Sequence, residues 1–155
     1  ASDSRVFVAG ANLEEIMSLD DATLNEYLEF GANVFGRIAA LPCTTVAAIN
    51  GAAMGGGLEI AMHCDHLIGL RPSAAPDGTP GRPYPIGLPE AGLSICPGWG
   101  GTNMLPARMD PERAIEMTAT GRTFTVMDAA EAGLGDAVHG GALEVREDEA
   151  DADAQ

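Results

Sequence analysis

Lysine is absent from this chain: all eight basic residues are arginine, set against 23 acidic residues, for a formal net charge of -15. A surface this acidic repels phosphate backbones, which excludes a nucleic-acid partner. Aromatic residues are scarce at 5% of the chain. The three cysteines, Cys43, Cys64 and Cys96, are odd in number and widely spaced, so a disulfide framework is excluded in favour of reduced, structurally buried thiols. Although 46% of residues are hydrophobic, no apolar run reaches the length of a membrane helix, so no membrane role is expected. A basic start followed by an apolar stretch and a small-residue cleavage site is also missing, which makes the cytoplasm the expected compartment. At 155 residues the chain has the size of one domain, or of a piece of one.

What is present divides cleanly along the chain. Residues 5–11 form a short apolar run ending in small residues, the pattern of a strand opening into a tight loop. Asn12 with Glu15, then Ser18 with Asp21, carry the spacing of a capping box and predict two successive helix starts. Leu24, Leu28, Val34, Phe35 and Ile38 recur at helical spacing and give one apolar face up to about Ala40, where Leu41-Pro42 ends the helix. Residues 44–49 are apolar on both parities, as in a strand covered on both faces, and Asn50-Gly51 ends them. Gly55-Gly56-Gly57 leads into the helix-forming stretch Leu58–Met62, and His66–Leu70 reads as a further strand. Residues 71–85, rich in proline and glycine, read as a loop insertion without a core of its own. Asp110-Pro111 starts a helix that Thr120-Gly121 ends, and Thr125 with Asp128 opens a shorter one closing at Gly133. Leu134–Val138 reads as a final strand, and residues 140–155 as a solvated acidic tail following a core at 1–139.

Three motifs bear on chemistry: Phe7-Val-Ala-Gly-Ala-Asn-Leu13, Asn50-Gly-Ala-Ala-Met-Gly-Gly-Gly-Leu-Glu59, and Gly87-Leu-Pro-Glu-Ala-Gly-Leu-Ser-Ile-Cys-Pro-Gly-Trp-Gly-Gly-Thr102. In their order they resemble the crotonase (enoyl-CoA hydratase/isomerase) superfamily. The first is similar to that family's A-G-A-D loop, the second to its N-G-x-x-x-G-G-G-x-E turn and helix, and the third to its G-x-P-E followed by P-G-x-G-G-T. Thr120-Gly-Arg and Ala129-Ala-Glu-Ala-Gly-Leu134 extend the resemblance, which spans roughly residues 5–138. It implies an α/β fold, the crotonase ββα spiral, lacking that fold's first strands and its C-terminal helical region.

The implied chemistry is physically coherent. When water adds to C3 of an enoyl thioester, or a proton leaves C2, negative charge builds on the thioester oxygen, and backbone amides can stabilise it. The resemblance places this oxyanion hole on the amides of Ala11 and Gly56, each typically worth about 3 kcal/mol at the transition state. It assigns water activation to Glu59 and proton delivery at the α-carbon to Glu90. It further implies substrate contacts at Ala9, Gly10, Asn12, Leu13, Glu14, Gly55, Gly98 and Trp99. Coenzyme A is then carried as part of the substrate, no separate cofactor is called for, and the full-length protein is expected to be a trimer-based homo-oligomer. Taken alone, three glycines before a helix more often serve close packing, and a glutamate in a helix's first turn more often serves the dipole. The motifs taken together favour the catalytic reading, and both carboxylates together favour a hydratase over an isomerase. The third motif is most similar to the hydratase portion of multifunctional fatty-oxidation enzymes.

Two positions depart from the family: Asn12 stands where Asp is common, and Glu14 where many members carry a basic residue near the nucleotide end of coenzyme A. A tryptophan in such a motif is more often core than pocket wall. His63-Cys64-Asp65-His66 contains only ligand-type residues, but neighbours at a helix end diverge and no second cluster exists, so no metal site is expected. The competing expectations are an enoyl-CoA isomerase and a non-catalytic truncated module that binds an acyl-CoA or a partner subunit.

Overall fold

The computed structural model describes residues 6–139, apart from 73, 75 and 76; the expected acidic tail lies outside the described residues. Strand β1 (Val6–Val8) leads into α1 (Leu13–Met17), whose N-cap is Asn12: its side-chain oxygen accepts from the amides of Glu14 and Glu15 at 3.1 and 3.4 Å. Ser18, expected to start the next helix, closes α1 instead. It remains helical at φ -87°, ψ -11°, whereas the true cap of α2 (Asp21–Ala39), Asp20, is extended at φ -79°, ψ 170° and accepts from the Thr23 amide at 2.9 Å. An N-cap needs that extended geometry to turn its carboxylate back onto the helix. On α2, Leu24, Leu28, Phe35 and Ile38 are half-buried, together with Tyr27 and Gly31. Val34, expected on the same face, is 39% exposed, because it falls one position off the stripe that packs inward.

The chain then alternates between two sheets. β2 (Val46–Ile49), β4 (His66–Leu70) and β7 (Ala137–His139) form a parallel three-stranded sheet in the order β2-β4-β7. β1, β3 (Ala52–Met54), β5 (Pro85–Gly87) and β6 (Thr123–Thr125) form the second, parallel except for the antiparallel β5–β6 pair. Asn50-Gly51 therefore does more than end a strand: it passes the chain from one sheet to the other. Helix α3 (Gly56–Met62) carries it back to β4, giving a strand-strand-helix repeat. Neither β3 nor β6 was expected, since three residues are too few to show a period, and both are strands because their neighbours pair with them. β2 also differs from expectation: Ala47 and Ile49 are buried, but Val46 is 50% exposed, so only one face of that strand is covered.

Around the sheets lie a 3-10 turn (Glu90–Leu93), α4 (Gly101–Arg108), α5 (Pro111–Thr120) and α6 (Val126–Glu131). Asp110 caps α5 through the Arg113 amide at 3.0 Å, and Thr125 with Asp128 closes a full capping box on α6. Leu58, Ala61, Leu67, Leu105, Ala114 and Val126 meet in the core between them. The Arg108 side chain donates to the carbonyls of Met62, at 2.8 Å, and Cys64, which satisfies the C-terminal end of α3. Tyr84, in the proline-rich stretch, is buried: its hydroxyl lies 2.7 Å from the Ile49 carbonyl and 2.6 Å from that of Leu70, tying together the ends of β2 and β4. Desolvation pushes this phenol up to about 12. The cysteines are free, but Cys43 and Cys96 are exposed and only Cys64 is partly covered, so burial does not account for the first two. No helix among the described residues is long and apolar enough to cross a membrane.

Candidate active site

A cavity of about 340 Å³ opens between the loop after β1, the inner face of α2, the turn before α3 and the loop that follows the 3-10 turn. Ala9, Gly10, Ala11 and Leu13 line it from the first loop. Gly55, Gly56 and Glu59 line it from the turn and helix, and Glu90, Gly98 and Trp99 from the third motif. Asn12 and Glu14 do not: the Asn12 side chain is spent on capping α1, and Glu14 sits exposed in that helix's first turn. Three segments far apart in sequence thus converge because β1 and β5 flank β3 in one sheet, which brings the loops after all three strands to one side.

At the mouth of α3 the backbone is fixed. Gly55 adopts φ 54°, ψ -126°, a conformation that essentially requires glycine, and its amide donates to the Gly87 carbonyl at 2.9 Å. Gly56 is the first residue of the helix, and such amides have no intrahelical acceptor. A side chain at Gly56 would meet the Trp99 ring, with a Cβ only 2.5 Å from its nearest carbon, so glycine is what lets the indole close over the helix start.

Glu59 and Glu90 are both buried, the only charged side chains in the core among the described residues. Glu59, 1% exposed, is held by two backbone donors: its Oε1 accepts from the amides of Trp99 at 2.8 Å and Gly101 at 2.9 Å. Glu90 is 7% exposed, and its Oε2 is buried with no hydrogen-bond partner among the described residues. Burial raises its pKa above the usual carboxylate value; its own backbone amide opposes this, and the charge of Glu59 adds to it. The two carboxyl groups therefore differ in kind. One is fixed by donors, whereas the other, on the wall of a largely apolar cavity, is biased toward its protonated form and keeps one oxygen buried without a partner among the described residues.

Trp99 lies between α2 and α3. Its ring packs edge-on against Phe35 at 5.1 Å between centroids and tilted against Tyr27 at 5.8 Å, and the residue lines the cavity. The His63-Cys64-Asp65-His66 run disperses: His63 reaches the Trp99 carbonyl, Asp65 accepts from the Thr45 amide and hydroxyl, and His66 lies 3.6 Å from Asp136. Sequence reasoning missed the rest of the cavity wall, notably Ile16, Leu24, Leu28, Ile95 and Cys96. The apolar stripe of α2 carried a signal for two of these, but not its destination.

A two-sheet α/β fold with two buried carboxylates on one apolar cavity beside a glycine-rich helix start defines the crotonase class. The sequence matches the family model for enoyl-CoA hydratase/isomerase over residues 1–150, and the chain belongs to that family. Among solved structures it is similar to an enoyl-CoA hydratase from Geobacillus kaustophilus (32% identity, TM-score 0.76), covering 86% of this chain and 47% of that one. It is also similar to enoyl-CoA hydratase from Thermoplasma volcanium (27%, TM-score 0.77; 88% and 51% covered). A third, enoyl-CoA hydratase from Bacillus anthracis, has 32% identity and a TM-score of 0.73, with 85% and 47% covered. The chain thus spans about half the length of the structures it matches.

Proposed function

We propose that this segment carries the chemistry of an enoyl-CoA hydratase, adding water across the 2,3 double bond of a 2-enoyl-CoA thioester. The observation that carries the reading is the pairing of Glu59, fixed by two amides, with Glu90, buried and unsatisfied, on one cavity. The thioester oxygen accepts from the amides of Ala11 and Gly56. Glu59 takes a proton from water as its oxygen bonds to C3, the double-bond electrons move onto the thioester as an enolate, and protonated Glu90 delivers its proton to C2. A proton then returns from Glu59 to Glu90 through solvent before the next turnover. The raised pKa of Glu90 suits a group that must begin as the acid. Coenzyme A enters and leaves with the substrate. Double-bond migration, the isomerase alternative, would need only the Glu90 type of group and leaves the double fixation of Glu59 without a use.

The test is hydration of a short 2-enoyl-CoA by this chain, and by the same segment joined to the flanking regions of a relative. Glu59→Gln and Glu90→Gln are each expected to lower turnover about 100-fold to 10,000-fold while thioester binding survives. Loss of hydration with intact double-bond migration in Glu59→Gln would confirm the division of labour. Unchanged rates in both variants would overturn the hydratase reading and leave acyl-CoA binding without catalysis. A homo-oligomer accompanies this reading, supported by exposed apolar side chains such as Phe30 (69%) and Ile115 (64%).

A further inference from the structure

We infer that His63 is a positioning residue for Glu59, acting through the backbone of Trp99; the inference rests on Glu59 being the water-activating group. His63 follows Glu59 by four residues at the end of α3, so the two side chains lie on one face, a turn apart. Its ring Nε2 is 3.1 Å from the Trp99 carbonyl oxygen. A carbonyl only accepts, so Nε2 carries the proton and donates. One residue pair on α3 thus grips residues 99–101 at three points: Glu59 Oε1 accepts from the Trp99 and Gly101 amides, and His63 donates to the carbonyl between them.

The consequence is geometric. The two amides that hold Glu59 flank the peptide group whose carbonyl His63 holds, so fixing that peptide fixes the two donors relative to each other, and its rotation would draw one of them off the carboxylate. The segment Gly98-Trp99-Gly100-Gly101 leads into α4: Gly100, at φ 102°, is the N-cap and its carbonyl accepts from the Asn103 and Met104 amides at 3.0 and 2.9 Å, whereas the Trp99 carbonyl lies one peptide before the helix. His63 supplies the hydrogen bond to that carbonyl. Packing is a separate matter: its ring lies edge-on to Phe35 at 6.0 Å between centroids, and an apolar side chain of similar size would retain that contact but not the hydrogen bond.

The deciding experiment compares His63→Leu, which keeps bulk, with His63→Gln, whose amide nitrogen takes the place of Nε2. In the 155-residue chain, hydrogen exchange is measured at the Trp99 and Gly101 amides. His63→Leu should accelerate exchange there by about threefold to tenfold over its effect on core amides, and His63→Gln should restore protection. Equal acceleration throughout the chain, no acceleration, or no rescue by glutamine would overturn the inference. Should His63→Leu not fold, His63→Asn, whose amide stops short of the carbonyl, takes its place. In a hydrating protein, His63→Leu should lower kcat with KM nearly unchanged, and should add nothing in a Glu59→Gln background; a KM-only effect, or a full effect in that background, would refute action through Glu59. Failure of the wild type to hydrate would count against the proposed function alone, since the exchange measurement decides the role of His63 without turnover.

Discussion

Replacing Glu90 by glutamine keeps the size and most of the shape of a side chain that is 7% exposed while removing its ability to ionise. Its folded pKa is raised from a reference of 4.5, chiefly by desolvation. A carboxyl group with a raised folded pKa favours folding fully below its unfolded value, and this contribution is lost as pH rises through the folded pKa. The wild type should therefore lose stability across the range above about pH 4.5 as Glu90 is forced to ionise around an oxygen with no partner. An unsatisfied buried polar group costs about 1–3 kcal/mol, more when charged, and an amide escapes the charged part of that cost. With a urea dependence of about 1–3 kcal/mol per molar, Glu90→Gln should raise the unfolding midpoint by roughly 0.5–1 M at pH 8 and by almost nothing at pH 4. Urea titrations of both proteins at the two pH values test this. The reasoning is refuted if the variant is less stable at pH 8, or if the difference between the proteins does not depend on pH. Greater stability with lost turnover would mark Glu90 as a residue kept for chemistry at the expense of the fold.

Gly57→Ala should destabilise the chain by more than about 2 kcal/mol, because its Cβ would fall 2.0 Å from the Val8 carbonyl oxygen and force β1 away from α3; a thermal melt within a degree of wild type would refute the packing described. Tyr84→Phe should cost about 1–2 kcal/mol by stripping the Ile49 and Leu70 carbonyls of their donor, read by chemical denaturation, with no change in cavity binding of a thioester. The 155-residue chain should self-associate, since Met17 (85% exposed), Phe30 and Val46 present apolar surface and β1 and β2 are edge strands among the described residues; a monodisperse monomer in sedimentation would count against this.

The helix boundaries were legible where a side chain does a local job. Asn12, Asp110 and Thr125 cap the helices expected of them, because a cap needs only residues three positions apart. The family was legible too, since its motifs are short runs whose order survives in the chain. Where local signal was ambiguous the reading slipped: Ser18 and Asp20 both qualify as caps by type, and only backbone geometry separates them. β3 and β6, with three residues each, carry no period at all and exist through pairing.

By itself, then, the order of residues determined which groups are available: two glutamates, a glycine turn without side chains, an acidic surface without lysine, and caps that start the helices. Only tertiary structure decided what those groups became. Glu59 and Glu90 are 31 positions apart in sequence, and they differ chemically because one meets two amides some 40 residues further on while the other keeps one buried oxygen without a partner among the described residues. The same holds for Asn12, a substrate contact by motif that the fold commits to capping, and for His63, a ligand-type residue that the fold turns onto a backbone carbonyl. Burial and hydrogen bonding depend on which distant segments arrive at a side chain, and that follows from strand pairing between the two sheets, which no local pattern encodes.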